Sequence, residues 1–156
     1  MFTISCSADI LCSPEAAFAF AGDYSNDPLW RTGVVAMAYE SAGAPAVGST
    51  TRETMRSMGR TAITVGEITE YSSSRTAFRS LSGPVSCHGS RQFVASPTGT
   101  TFTYSLTLRP AGYLRLLEPL LRWLLAGQVR KDVLRLKNHL ETQALRGGAS
   151  PQRAGA

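Results

Sequence analysis

The sequence predicts an α+β protein in which a curved antiparallel sheet of about seven strands wraps on one long C-terminal helix. Three observations lead to this prediction. Apolar and polar residues alternate at the N-terminus, residues 34–110 are rich in β-branched and aromatic residues, and the last third switches to helical periodicity. The sheet must bury one face, and only the long helix can cover it, so a cavity between the two is expected.

Residues 2–11 are predicted to form the first strand because apolar positions there recur at every second residue. Two short helices should follow. Ser13, Pro14 and Glu15 form a typical helix start, with an N-cap, a proline at the first helical position and an acid in the first turn. Gly22 should end this helix, and the turn-rich segment 23–30 predicts a second helical turn.

Between Val34 and Pro110, recurrent glycine and proline divide the chain into a meander of about six strands. The clearest strand is Phe102–Arg109, whose apolar face alternates with threonine and serine. Residues 58–60 and 97–99 are predicted hairpin turns.

After Gly112 the apolar residues recur every three or four positions and predict one helix over residues 120–145, about 40 Å long. Its apolar stripe consists of Leu121, Leu125, Val129, Val133, Leu136 and Leu140. Pro119 should kink the entry or divide it into a short helix and a long one. Residues 1–146 are therefore expected to form a single domain, and residues 147–156 a disordered tail.

Composition and charge exclude several classes of protein. With 156 residues, 43% of them apolar, the chain is neither wholly disordered nor two large domains. It has no apolar run of membrane-spanning length and no signal-peptide pattern, so we expect a soluble cytoplasmic protein. Its three cysteines do not form a disulfide framework.

The positive charge is concentrated in one segment. Seven cations and three acids give segment 115–146 a net +4 of the total +5. This local charge gives little support for nucleic-acid binding.

Several segments together resemble one known family. They are Ser13–Phe18, Asp23–Trp30, Val47–Thr50, Glu67–Tyr71, Gly99–Tyr104 and Leu136–Glu141. In order and spacing, over residues 2–142, they resemble the polyketide cyclase/dehydrase and lipid-transport family of the START-like (SRPBCC) superfamily. The resemblance implies a helix-grip ligand-binding domain with a cavity for a hydrophobic small molecule, and it leaves catalysis open.

If the protein is catalytic, we expect Arg91 and Tyr104 to polarise a carbonyl or hold an enolate, with Glu53 and Tyr71 completing the polar set. Arg91 shares strand parity with Phe93, so it should point inwards unless the register slips by one residue. A buried guanidinium needs an acceptor, for which Glu53, Glu67 and a ligand carbonyl or carboxylate are candidates.

Five residues, among them Phe93, are candidate cavity-lining positions. Trp30 is either an aromatic wall for a flat ligand or a core anchor, and Tyr24 either offers its phenol at the portal or packs partly exposed. Phe93 and Phe102 lie on apolar strand faces that should line the cavity. Gly127 lies inside the helix, where the approach of a ligand or the sheet would explain its cost in helix stability.

Three functions therefore stay open. The protein binds a hydrophobic or polyketide-like molecule as a cyclase or dehydratase, or it is a non-catalytic carrier or sensor of lipid-like ligands. Alternatively it works through its exterior, as a homodimer, with an acyl carrier protein or by docking to a membrane, using the apolar segment 116–125. Burial of Leu120 and Trp123 under the short helices is the simpler account of that segment. No metal spacing and no cofactor motif is present, so we expect no metal, no cofactor and no nucleic-acid partner.

Overall fold

The computed structural model describes residues 1–57 and 59–148. The predicted order of elements is confirmed. The strands are β1 (Phe2–Ile10), β2 (Val34–Tyr39), β3 (Thr50–Ser57), β4 (Arg60–Ser72), β5 (Arg75–Ser82), β6 (Ser86–Ser96) and β7 (Gly99–Arg109). The helices are α1 (Pro14–Ala21), α2 (Asp27–Trp30) and α3 (Glu118–Gly148), with short 3-10 helices at Tyr24–Asn26 and Gly112–Arg115.

The seven strands form one antiparallel sheet in the order β1-β7-β6-β5-β4-β3-β2. Strands β2 to β7 are a simple meander, and β1 adds to its free edge by pairing with β7, where Phe2 lies opposite Leu108. The sheet curls into a half-barrel against α3, which makes this a helix-grip fold. The register of β6 and β7 places Arg91 opposite Tyr104, a pairing on which the site depends.

The short helices begin and end where the sequence predicts. The Ser13 hydroxyl accepts a hydrogen bond from the Ala16 amide at 3.2 Å, as an N-cap does, and Gly22 caps the end of α1. Pro119 lies in the first turn of α3, where its missing N–H costs no helical hydrogen bond. It therefore starts the long helix and does not divide it.

The core lies between the sheet and the middle of α3. Val129, Val133, Leu136 and Leu140 are buried there, as the stripe predicts, against strand residues such as Phe102. The predicted tail lies outside the described residues except for positions 147 and 148, which end α3.

One expectation about α3 is wrong. Its beginning is not covered by the short helices: Leu120 and Trp123 are exposed, Trp123 to 72%. Among the described helices, none combines the length and the apolar composition that a membrane span needs.

Candidate ligand-binding site

A cavity of about 220 Å³ lies between the sheet and α3. Strands β2 to β7 and α3 form its wall, which is mostly apolar and includes the side chains of Met37, Met55, Phe78, Leu106 and Leu125. Pro84, at the β5–β6 turn, lines the cavity and is itself exposed, so the cavity reaches the surface there.

A group of four charged side chains lies beside the cavity. The Arg31 guanidinium bridges two carboxylates, Asp27 at 2.9 Å and Glu53. Asp27 also accepts from Arg91 at 2.6 Å, and the second terminal nitrogen of Arg91 donates to the Ala21 carbonyl at 2.8 Å. Two cations and two anions therefore neutralise one another in a largely buried place, which is the arrangement that buried charges require.

Both arginines of this group remain charged. Burial alone would lower the pKa of each guanidinium, but neighbouring acidic groups more than offset it. The pKa of Arg31 therefore rises well above its ordinary value: Tyr104, which is ionised at the alkaline pH where this arginine would titrate, is the largest offsetting neighbour, and Glu53 and Asp27 are its counter-charges at neutral pH. The pKa of Arg91 also rises, and the Asp27 carboxylate is the neighbour that most offsets the effect of burial.

Tyr104 presents a phenol on the cavity wall. Its side chain is buried, and among the described residues its hydroxyl has no hydrogen-bond partner. Burial raises the pKa of the phenol to about 12, so it stays protonated at neutral pH. A protonated hydroxyl without a partner is a free hydrogen-bond donor for a ligand oxygen.

Tyr24 also lines the cavity but is already occupied. Its hydroxyl donates to Thr76 at 3.2 Å, its ring lies 4.0 Å from the Arg91 guanidinium carbon, and burial raises its pKa. The structure thus places Tyr24 in the wall as a buried packing residue, in place of the partly exposed position the sequence allowed.

Asp132 is a cavity carboxylate that the sequence reasoning missed. Its Oδ1 accepts from the Thr32 amide at 2.9 Å and from Gln128 at 3.1 Å, and burial raises its pKa. A signal existed in the sequence, since Asp132 stands three residues after Val129 and four before Leu136. An acid at that spacing lies on the buried stripe of the helix.

The other candidate residues divide into two groups. Glu53 lines the cavity together with Tyr24 and Tyr104. Arg91 points inwards, as its parity with Phe93 predicts, but its acceptors are Asp27 and a backbone carbonyl. The expectation of Glu53 or Glu67 as its partner is wrong, because Glu53 pairs with Arg31 and Glu67 with Arg79.

The remaining five candidate residues lie away from the cavity wall. Trp30, Phe93 and Phe102 are buried in the core, where the indole packs edge-on to Phe102 at 6.1 Å between ring centres. Tyr71 packs edge-on against Phe18, with the ring centres 5.5 Å apart. Gly127 is exposed, and a Cβ added there would meet no atom within 4 Å, so neither a ligand nor the sheet approaches it.

No group of three or more potential metal ligands occurs within residues 1–57 and 59–148. What the site offers is hydrogen bonding and charge inside an apolar wall: one free phenol donor, one arginine and two carboxylates. Such a set can orient a ligand oxygen and can accept a proton.

The fold and this site define a class of helix-grip proteins with an internal cavity, and the comparison with known families makes the assignment specific. The sequence matches the family described as "Polyketide cyclase / dehydrase and lipid transport" over residues 1–141. The chain therefore belongs to that family. None of the curated proteins matches the sequence significantly.

Solved structures share the fold at low sequence identity. A Thermus thermophilus protein, TTHA0849, has a TM-score of 0.77 at 18% identity, covering 96% of this chain and 100% of that one. The Zhui aromatase/cyclase from a Streptomyces species has a TM-score of 0.67 at 14% identity, covering 99% of each chain. The di-domain aromatase/cyclase StfQ of the steffimycin pathway has a TM-score of 0.73 at 13% identity, over 91% of this chain and 51% of its own.

Proposed function

We propose that the protein binds a compact, apolar small molecule that carries a carbonyl group, of the polyketide class, in the cavity between the sheet and α3. The observation that carries this proposal is the phenol of Tyr104, a buried donor without a partner on an otherwise largely apolar wall. A ligand carbonyl would accept from it and remove the cost of an unpaired buried hydroxyl.

The volume favours a compact ligand. About 220 Å³ is below the ~300–1,000 Å³ of typical small-molecule sites. A fused aromatic ketone therefore suits the cavity better than a long acyl chain. Membership of the family and the likeness to two aromatase/cyclases support a polyketide-like molecule.

The same residues supply the elements of cyclase or dehydratase chemistry. Tyr104 would donate to the ligand carbonyl, and the negative charge that develops on its oxygen would be stabilised by the donor and by the nearby Arg31. Glu53, held by Arg31, would accept the proton from the carbon next to that carbonyl. Arg91 does not line the cavity, so we assign it the role of positioning Asp27 and, through it, Arg31.

A matched pair of ligands tests the binding proposal. 2-Acetylnaphthalene and 2-ethylnaphthalene have similar shapes, but only the first has a carbonyl. We expect the wild-type protein to bind the ketone about fivefold more tightly, which is the effect of one neutral hydrogen bond of ~1 kcal/mol. The Tyr104→Phe variant should bind both alike. Equal affinities in the wild type, or a preference that survives in the variant, would contradict the proposal.

Turnover separates an enzyme from a carrier. With a short, reactive poly-β-ketone that the cavity can hold, a catalyst should give cyclised or dehydrated product, and Glu53→Gln should lose product while still binding 2-acetylnaphthalene. A carrier, the alternative that the sequence left open, would bind the same ketone without forming product. Native mass spectrometry of the purified protein would reveal a ligand that co-purifies in either case.

A further inference from the structure

A cluster of exposed apolar side chains surrounds the beginning of α3. It consists of Leu116, Leu117, Leu120, Trp123 and Leu124, and we call it the leucine–tryptophan patch. Leu116 is 85% and Trp123 is 72% exposed. Isolated exposed leucines are common in soluble proteins, but five adjoining large apolar residues mark a surface that has a partner.

Cations border this patch. Arg115 and Arg122 lie within the same stretch, and Arg130 and Lys131 lie on the outward side of α3 about two turns further on. All four are exposed, and among the salt bridges of the described residues none involves any of them. The patch is thus an apolar surface with unneutralised positive charge at its edges.

We propose that the leucine–tryptophan patch docks the protein on an anionic lipid surface. Leucine and tryptophan in one short segment, with arginine and lysine beside them, is the composition by which helices lie at a membrane interface. The apolar side chains would enter the boundary between headgroups and acyl chains, and the four cations would contact lipid phosphates. The helix would lie on the bilayer and not cross it, in keeping with its composition.

A second copy of the chain fits the same surface less well. A symmetric contact would bring the four free cations of one chain against those of the other, and like charges across an interface are unfavourable. An anionic bilayer accepts both the apolar side chains and the cations. It also accepts Leu116 and Leu117, which precede the helix and extend the patch beyond a single helical face.

The patch adjoins the cavity. Leu125 lines the cavity one residue after the patch ends at Leu124. Docking would therefore hold the first turns of α3 and that wall of the cavity close to the lipid. The inference does not depend on which molecule the cavity binds, since vesicle binding is measured without a ligand.

Sedimentation with vesicles tests the proposal. The full chain should sediment with an equimolar mixture of phosphatidylglycerol and phosphatidylcholine, and far less with phosphatidylcholine alone. High salt should weaken the binding. Tryptophan fluorescence gives a second signal: Trp30 is buried in the core, so a blue shift on adding anionic vesicles reports on Trp123.

Variants locate the contact. Trp123→Ser and Leu120→Ser should each weaken sedimentation at least tenfold, because each removes a large apolar side chain from the lipid interface. Lys131→Ser should weaken it about fivefold on anionic vesicles, the effect of one cation. Leu145→Ser is the matched control, since Leu145 is 77% exposed, more than Leu120 or Trp123, and lies near the other end of α3. Far-ultraviolet circular dichroism should show all four variants folded.

Three results would overturn the proposal. The first is equal sedimentation with neutral and anionic vesicles. The second is vesicle binding that Trp123→Ser and Leu145→Ser affect alike. The third is no vesicle binding together with a dimer in analytical ultracentrifugation that Trp123→Ser dissociates. That outcome would assign the patch to a second copy of the chain.

Discussion

The terminal nitrogen Nη2 of Arg91 lies 2.6 Å from Oδ2 of Asp27, and both side chains are fully buried. The pair joins β6 to α2 across 64 residues of sequence. Removing the charge of Asp27 would leave Arg91 buried without a counter-charge, which typically costs about 3–5 kcal/mol. We therefore expect Asp27→Asn to lower the free energy of unfolding by that amount in urea denaturation.

An exposed ion pair provides the comparison. Glu67 accepts from Arg79 at 2.7 Å on the surface of the sheet, where such pairs contribute about 0–1 kcal/mol. Glu67→Gln removes a carboxylate in the same way and should change stability little. Similar losses in both variants would mean that the buried pair has no special role in stability.

This pair also shows how far the sequence could predict the site. Alternation along β6 relates Arg91 to Phe93, so the inward direction of Arg91 follows from local sequence. The identity of its partner does not follow from local sequence, because the position of Asp27 depends on how α2 packs against the sheet. The element order is local in the same sense and was predicted correctly. The environment of Tyr104 could not be predicted from local sequence, since residues from six strands and α3 form the cavity.

Gly127 illustrates a second limit. The sequence marks a glycine in a helix as costly, but only the structure shows that its missing side chain would face solvent. We therefore expect Gly127→Ala to stabilise the protein by about 0.5–1 kcal/mol, because alanine favours the helix and meets nothing there. Thermal unfolding followed by circular dichroism measures this as a higher Tm.

Gly89 is the control for that substitution. A Cβ at Gly89 would lie 2.8 Å from the Phe78 ring and 2.8 Å from the Ser105 carbonyl oxygen. Gly89→Ala must therefore displace its neighbours and should lower the Tm. A lower Tm for Gly127→Ala as well would indicate a contact at Gly127 that the structure does not contain.

The phenol of Tyr104 should make stability depend on alkaline pH. Burial raises its pKa from 10.0 to about 12 in the folded protein, so folding favours the protonated form. What Tyr104 adds to the free energy of unfolding through this raised pKa is fully present below pH 10 and is lost as the pH rises towards 12. Wild-type protein should therefore lose stability relative to Tyr104→Phe over this interval, as measured by urea denaturation at each pH. A difference that stays constant with pH would contradict the assignment.

Cys87 allows occupancy of the cavity to be measured chemically. Its thiol lines the cavity, and burial raises its pKa, so alkylation by iodoacetamide should be slow at neutral pH and faster as the pH rises. Burial also raises the pKa of Cys12, which lies two residues after β1, where its carbonyl accepts from Thr100 at 2.8 Å. Because only Cys87 of these two lines the cavity, saturating 2-acetylnaphthalene should protect Cys87 and leave Cys12 unchanged. Peptide mass spectrometry gives both rates in one sample. Equal protection would indicate that the ligand stabilises the whole protein, and protection of neither would place it outside the cavity.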